Sequence, residues 1–232
     1  MNKNILIVGG TSGIGKALVE LLQDSNQLFV ANRTSEGLDT GKVTYIPFDA
    51  TSDALDTTEL PDQLDGFVYC PGSINLRPFK GLKPETFQKD FEINVLGAVK
   101  SLQAVLKNLL LSPQASLVFF STVAVQTGMP FHASVAAAKG AIEGLTKSLA
   151  AEYAPKFRVN AIAPSLTNTP LADKFLNNET KLEKANERHP LKFIGSAKDL
   201  ANSAKFLLSD ESKWMTGQIL HVDGGIGNLK TN

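Results

Sequence analysis

Residues 5–15, Ile5-Leu6-Ile7-Val8-Gly9-Gly10-Thr11-Ser12-Gly13-Ile14-Gly15, constrain the fold more than any other stretch. Four apolar residues in a row predict a buried strand. The glycines at 9, 13 and 15 predict a tight turn. Ala17, Leu18, Leu21 and Leu22 then fall on one face of a helix over residues 16–24. A strand that enters a helix through such a turn aims backbone N–H groups and the positive end of the helix dipole at one point, where a nucleotide phosphate fits. Glycine is required because a Cβ would hold a pyrophosphate off the backbone or block helix–strand packing.

The 232 residues suit a single α/β domain spanning 1–232. Lys+Arg and Asp+Glu both number 23, so no net field draws the chain to nucleic acid or to anionic lipid. Apolar runs such as Leu117–Phe120 are far too short for a membrane helix, and the start, Met1-Asn2-Lys3-Asn4, does not read as a signal peptide. With one cysteine, Cys70, no intramolecular disulfide forms. The expectation is a soluble, cytoplasmic protein that acts on a small molecule, with no spacing that suggests a metal site.

Further strands are expected at Gln27–Ala31, Val43–Asp49, Leu64–Gly72, Ser116–Phe120, Phe157–Pro164 and within Thr216–Gly225. Helices are expected at residues 87–111, from the Ala-rich segment to Tyr153, over a polar stretch at 171–188 and at 197–208. Strands alternating with helices predict a Rossmann-like, doubly wound parallel sheet of about seven strands with helices on both faces. In such folds the second strand ends at the adenosine ribose. Here Asn32 stands there in place of an acid, followed by Arg33, Thr34 and Ser35. Arginine grips phosphate in a fork, which favours NADP(H) over NAD(H); a solvated loop arginine is the alternative.

The G-x-x-x-G-x-G spacing resembles the Thr-Gly-x-x-x-Gly-x-Gly motif of the short-chain dehydrogenase/reductase family, with Val8 in the threonine's place. Asn94 in Ile93-Asn94-Val95-Leu96-Gly97, Val159-Asn160-Ala161-Ile162-Ala163-Pro164, and Thr216-Gly217-Gln218-Ile219-Leu220-His221-Val222-Asp223-Gly224-Gly225 extend the resemblance over nearly the whole chain. It implies a dinucleotide held along Gly9, Thr11, Ser12, Gly13, Ile14, Gly15, Asn32, Arg33, Thr34, Asp49, Ala50, Cys70, Pro71, Gly72, Lys139, Pro164, Leu166 and Thr169. Asp49 would contact the adenine amino group or cap a short helix after it. Asn94 would interrupt its helix and hold a proton-relaying water, or be a satisfied core amide. Residues 170–195 would form a substrate lid, and the chain would assemble as a tetramer or dimer.

The resemblance breaks at the reacting centre. The family's Tyr-x-x-x-Lys becomes Val135-x-x-x-Lys139, and valine has no proton to give. Thirteen residues before Val135 lies Thr122, beside Ser121, as a hydroxyl that steadies a substrate oxygen. Enoyl-carrier-protein reductases of the family use Tyr-x6-Lys, and this chain reads His132-x6-Lys139. Residues 132, 135 and 139 share a helical face if the helix has begun by residue 132. His132 is therefore expected to act as a neutral imidazole donating a hydrogen bond, with a capping or packing role as the alternative. His189 and His221 read as structural, and Cys70 as packing near the cofactor. Two functions remain open: an oxidoreductase using NADP(H) on a carbonyl, alcohol or enoyl group, and a dinucleotide-binding sensor or assembly subunit without hydride chemistry.

Overall fold

A computed structural model describes residues 2–230. The chain runs β1 (Asn4–Val8), α1 (Gly13–Leu22), β2 (Gln27–Asn32), β3 (Val43–Pro47), β4 (Gly66–Tyr69) and α2 (Pro84–Phe91). A π-helical turn (Glu92–Leu96) joins α2 to α3 (Gly97–Leu110), which leads to β5 (Ala115–Phe120), α4 (Ala124–Thr127), α5 (Ala133–Tyr153) and β6 (Phe157–Pro164). The remainder is β7 (Thr167–Asn168), α6 (Asp173–Leu176), α7 (Glu179–Arg188), β8 (Gly195–Ser196), α8 (Ala197–Leu208) and β9 (Ile219–Val222). Seven parallel strands form one sheet in the order β3-β2-β1-β4-β5-β6-β9, and β7 pairs with β8 in a separate two-stranded ribbon. The expected doubly wound sheet is the fold.

Every residue of β5 is buried, as a central parallel strand covered on both faces requires. Leu102, Val105 and Leu109 of α3 and Ile142 of α5 pack on one face with Phe67 and Phe119. Leu18 and Leu22 of α1 and Leu200 and Leu207 of α8 pack on the other with Ile5, Val30 and Val118. Two buried polar side chains of β6 tie that strand to the end of α8 and the segment leading into β9. Asn160 donates to Met215 O and accepts from Gln218 N, both at 3.0 Å, which fixes the entry to β9. Arg158 spreads its guanidinium over the carbonyls of Leu207, Ser209 and Ser212 at the end of α8.

Several local expectations need correction. α1 begins at Gly13, three residues earlier than Lys16, because Ser12 is already extended and Gly13 and Gly15 fit the first turn. The helix expected at 87–111 is α2 and α3 joined through the π-turn, so the interruption at Asn94 is real. No helix follows Asp49. Its carboxylate instead closes a turn, accepting from Thr51 N at 2.9 Å and Thr51 Oγ1 at 2.6 Å. The lid is not one helix: it breaks at Asn177-Asn178, where the Asn178 side chain caps α7 by accepting from Lys181 N at 2.9 Å. Among the described residues no helix is long and apolar enough to cross a membrane.

Candidate active site

The strand order reverses between β1 and β4, and a cleft of about 340 Å³ opens there at the strands' carboxyl ends. Its floor is the β1–α1 turn. Gly13 has φ +52°, and a Cβ on Gly15 would collide with the Gly9 carbonyl oxygen, so neither position accepts a larger residue without opening the turn. Ser12 makes no side-chain capping bond and α1 has no acid in its first turn, which leaves the helix's N-terminal N–H groups and dipole facing the cleft. Gly9, Ser12, Gly13, Ile14, Gly15, Asn32, Arg33, Asp49, Ala50, Pro71 and Gly72 line this space. Hydrogen bonds from Thr51, with Arg33 adding a smaller pull, hold the Asp49 carboxyl below its ordinary range. Thr11 and Thr34 are not in the lining. Asn32 Nδ2 bridges them instead, donating to Thr11 Oγ1 at 2.6 Å and Thr34 O at 3.2 Å. They shape the loop from behind.

Lys139 sits where this cleft meets a second one. Only 7% of it is exposed, and burial brings its ammonium down to about 8 from an ordinary 10.5, against a small upward pull from Cys70 and Asp90. An atom placed as Cβ on Gly72 would lie 3.3 Å from Lys139 Nζ and 3.1 Å from Asn94 Oδ1, so the missing side chain at 72 keeps this junction open. Asn94 is fully buried in the π-turn. Its Nδ2 donates to Ser73 Oγ at 2.9 Å and Asp90 O at 2.7 Å, while Oδ1 has no hydrogen-bond partner. Ser73 Oγ and Asn75 Nδ2 in turn donate to the buried Asp90 Oδ1 at 2.5 and 2.6 Å. Tyr69 donates its hydroxyl to Ile93 O at 2.6 Å. That bond braces the π-turn, and Gly97 makes room for the ring. Cys70 packs here, its thiol pushed up to about 12 by burial, which suits packing and not nucleophilic attack.

The second cleft, about 520 Å³, shares Ile14, Cys70, Gly72, Thr169 and Leu171 with the first, so the two form one groove. Pro164, Leu166 and Lys139 also line it, as do Thr122, His132 and Val135. Thr122 keeps its Oγ1 available save for a long contact from Ala124 N at 3.3 Å. Ser121 does not: its hydroxyl donates to Glu143 on α5 at 2.6 Å, one helical turn beyond Lys139. Ser121 therefore leaves the candidate hydroxyl pair. His132 occupies the N-cap position of α5 but makes no capping bond, so the capping alternative fails. Its Nδ1 lies 2.8 Å from Pro130 O, and a carbonyl only accepts, so that nitrogen carries the proton. The neutral ring then offers Nε2 as an acceptor. This differs from the neutral donor expected, because the ring N–H is already spent on Pro130 O.

His189, expected to be structural, makes a hydrogen bond that spacing did not reveal. His189 is buried in the lid, with Nδ1 donating to Ala185 O at 2.7 Å. Its Nε2 accordingly accepts from Ser165 Oγ at 2.6 Å. Both residues line the groove. A bond between positions more than twenty residues apart leaves no signal in local spacing. His221 lies in β9 opposite Ala163, as a strand residue.

These residues fit a nicotinamide dinucleotide: the turn lacks the Cβ atoms that would fill it, and Lys139 and Asn94 Oδ1 present unspent polar capacity at the junction. Comparison with known proteins agrees. A family model described as enoyl-(acyl carrier protein) reductase matches residues 9–227. A 2,5-dichloro-2,5-cyclohexadiene-1,4-diol dehydrogenase of Sphingobium indicum is 31% identical, with 96% of each chain covered. A 2-(S)-hydroxypropyl-CoM dehydrogenase 3 of Xanthobacter autotrophicus is 30% identical, covering 97% of this chain and 96% of its own. The solved structure of ElxO with NADP bound superimposes with TM-score 0.87 at 26% identity, over 97% of this chain and 99% of its own.

Proposed function

The chain belongs to the short-chain dehydrogenase/reductase family, and on that premise we propose that it is an NADP(H)-dependent oxidoreductase moving hydride to or from a carbonyl, alcohol or enoyl substrate. The observation that carries the reading is the single groove in which the glycine turn and the substrate cleft meet at buried Lys139. When bound, the dinucleotide supplies or accepts the hydride at its nicotinamide ring. The α1 N-terminus and the Gly13–Gly15 backbone would hold its diphosphate, Arg33 a 2′-phosphate, and Lys139 the nicotinamide ribose.

The remaining chemistry is proton handling at the substrate oxygen. Thr122 Oγ1 steadies that oxygen by hydrogen bonding. His132 Nε2, with Nδ1–H anchored on Pro130 O, takes the hydroxyl proton of an alcohol during oxidation and, as imidazolium, returns it during reduction. Val135 fills the tyrosine's place with methyl groups and keeps water from that side. Asn94, whose Oδ1 is unpartnered near Lys139, would hold a water that relays protons to that lysine. The protein also fits assembly as a tetramer or dimer, with Leu96 and Leu110 exposed along the π-turn and α3.

The test is NADPH and NADH affinity in the parent and Arg33→Ala, together with turnover on a panel of carbonyl and enoyl compounds in the parent, His132→Ala and Lys139→Ala. A lost preference for NADPH in Arg33→Ala, and turnover reduced about 10²-fold or more in His132→Ala, support the reading. Val135 favours a second reading, a dinucleotide-binding sensor without hydride chemistry. Tight NADPH binding with no turnover anywhere in the panel would establish that one.

A further inference from the structure

We propose that the substrate carries an anionic group, a phosphate or a carboxylate, at the end remote from its reacting carbon, and that the face of α7 bearing Lys181, Lys184 and Arg188 binds it. The inference rests on the reading of this groove as the substrate site and adds the substrate's charge to it. In a chain whose charges balance, the substrate half of the groove is lined by Lys139, Lys174, Lys181, Lys184 and Arg188, and by no Asp or Glu. The rest of the lining is mostly apolar, including Leu76, Met129, Val135 and Phe175. A mostly apolar body with an anionic end matches such a lining.

The arrangement of α7 makes chance a poor explanation. At about 100° per residue, Lys181, Lys184 and Arg188 fall within roughly 60° of arc, while Glu179, Glu183 and Glu187 gather on the opposite side. All three cations line the groove and none of the three acids does. The helix dipole accounts for only part of this pattern. It favours Glu179 in the first turn and Arg188 in the last, but not Lys181 near the start or Glu187 near the end. The 179/183, 183/187 and 184/188 spacings set like charges four apart, each costing a few tenths of a kcal/mol. Among the described residues, none of the cations on α6 and α7 lies within ion-pair distance of a carboxylate. Lys174 and Lys181 are held instead by neutral groups: Lys174 Nζ donates to Ile74 O at 2.7 Å, and Lys181 Nζ to Asn177 Oδ1 at 2.7 Å. Their charges stay unneutralised beside the groove, available to a ligand.

Titration calorimetry with hexyl phosphate, hexanoate and 1-hexanol tests this on the full-length protein, with and without NADPH. At low salt hexyl phosphate should bind about tenfold more tightly than 1-hexanol, the sum of two or three exposed ion pairs. The preference should shrink at physiological ionic strength. It should disappear in Lys184→Gln/Arg188→Gln and persist in Glu183→Gln, on the opposite face. Hexanoate then separates carboxylate from phosphate recognition. Equal affinity for phosphate and alcohol, failure of hexyl phosphate to bind, or a preference that survives the double substitution overturns the proposal. NADPH affinity, read in the same samples, keeps the two readings apart. Dinucleotide binding without anion preference defeats this inference alone, whereas anion preference without dinucleotide binding defeats the oxidoreductase reading alone.

Discussion

Replacing Lys139 by methionine should make the protein more stable and inactive at once. The lysine is 7% exposed, and its ammonium is brought from an ordinary 10.5 to about 8, chiefly by burial. At roughly 1.4 kcal/mol per pH unit, the folded state bears a cost of about 3 kcal/mol for holding this cation. The pH window follows from the direction of the change. Below pH 8 the lysine is protonated both folded and unfolded, so the full cost is present. Between 8 and 10.5 the folded protein sheds the proton first and the cost fades. Above 10.5 it is gone. Lys139→Met, similar in length and apolar, should therefore gain about 2–3 kcal/mol at pH 7, or roughly 5–10 °C in Tm for a domain of this size. The gain should vanish near pH 10.5, and NADPH binding should weaken with it. Urea denaturation of the dinucleotide-free protein at pH 7 and 10.5 reads the stability gain, and calorimetry with NADPH reads the binding. A methionine variant no more stable than the parent at pH 7, or a gain independent of pH, refutes the claim that Lys139 is held at the cost of stability.

The same lysine predicts a proton count. A polyanionic dinucleotide beside it raises its proton affinity, so NADPH binding at pH 8 should take up a fraction of a proton, falling to none near pH 6. Calorimetry in two buffers of different ionisation enthalpy measures this, and identical heats would contradict it. Gly15→Ala sets a methyl against the Gly9 carbonyl oxygen; it should cost about 1–3 kcal/mol in stability and weaken NADPH binding at least tenfold, both read by titration and denaturation.

The sheet was legible because its signals are local. Strands such as β1 and β5 are short apolar runs, and the glycines at 13 and 15 mark a turn whose geometry admits nothing larger. Lys139, Asn94 and Thr122 were legible by their spacing from known motifs. What escaped depends on direction in space. Spacing places Ser121 and Thr122 together, but only the fold shows Ser121 donating to Glu143. Spacing puts His132 on the face of Val135 and Lys139, but the Pro130 carbonyl decides which ring nitrogen carries the proton. The lid was read as one helix because its polar composition hides the cap at Asn178 that restarts it.

The loss of the tyrosine invites the conclusion that hydride chemistry went with it, yet the groove argues otherwise. A protein that only senses a dinucleotide needs the turn, Arg33 and Lys139, and nothing beyond them. This chain keeps the far half of the groove furnished with Thr122, His132 and the Ser165–His189 pair, all lining the space beside Val135. The Ser165–His189 bond also joins the exit of β6 to the end of α7, so the residue next to Arg188 is fixed to the wall of the groove. In Ser165→Gly the lid would lose that tie and His189 Nε2 would be left buried without its donor, at about 1–3 kcal/mol. If substrate binding seats an anion on α7, this tie sets the distance between the anion's site and the reacting carbon. Ser165→Gly should then raise KM for an anionic substrate more than it lowers kcat, while leaving NADPH affinity within about twofold. The reverse, an unchanged KM with a collapsed kcat, would move Ser165 from positioning the lid to carrying the proton itself.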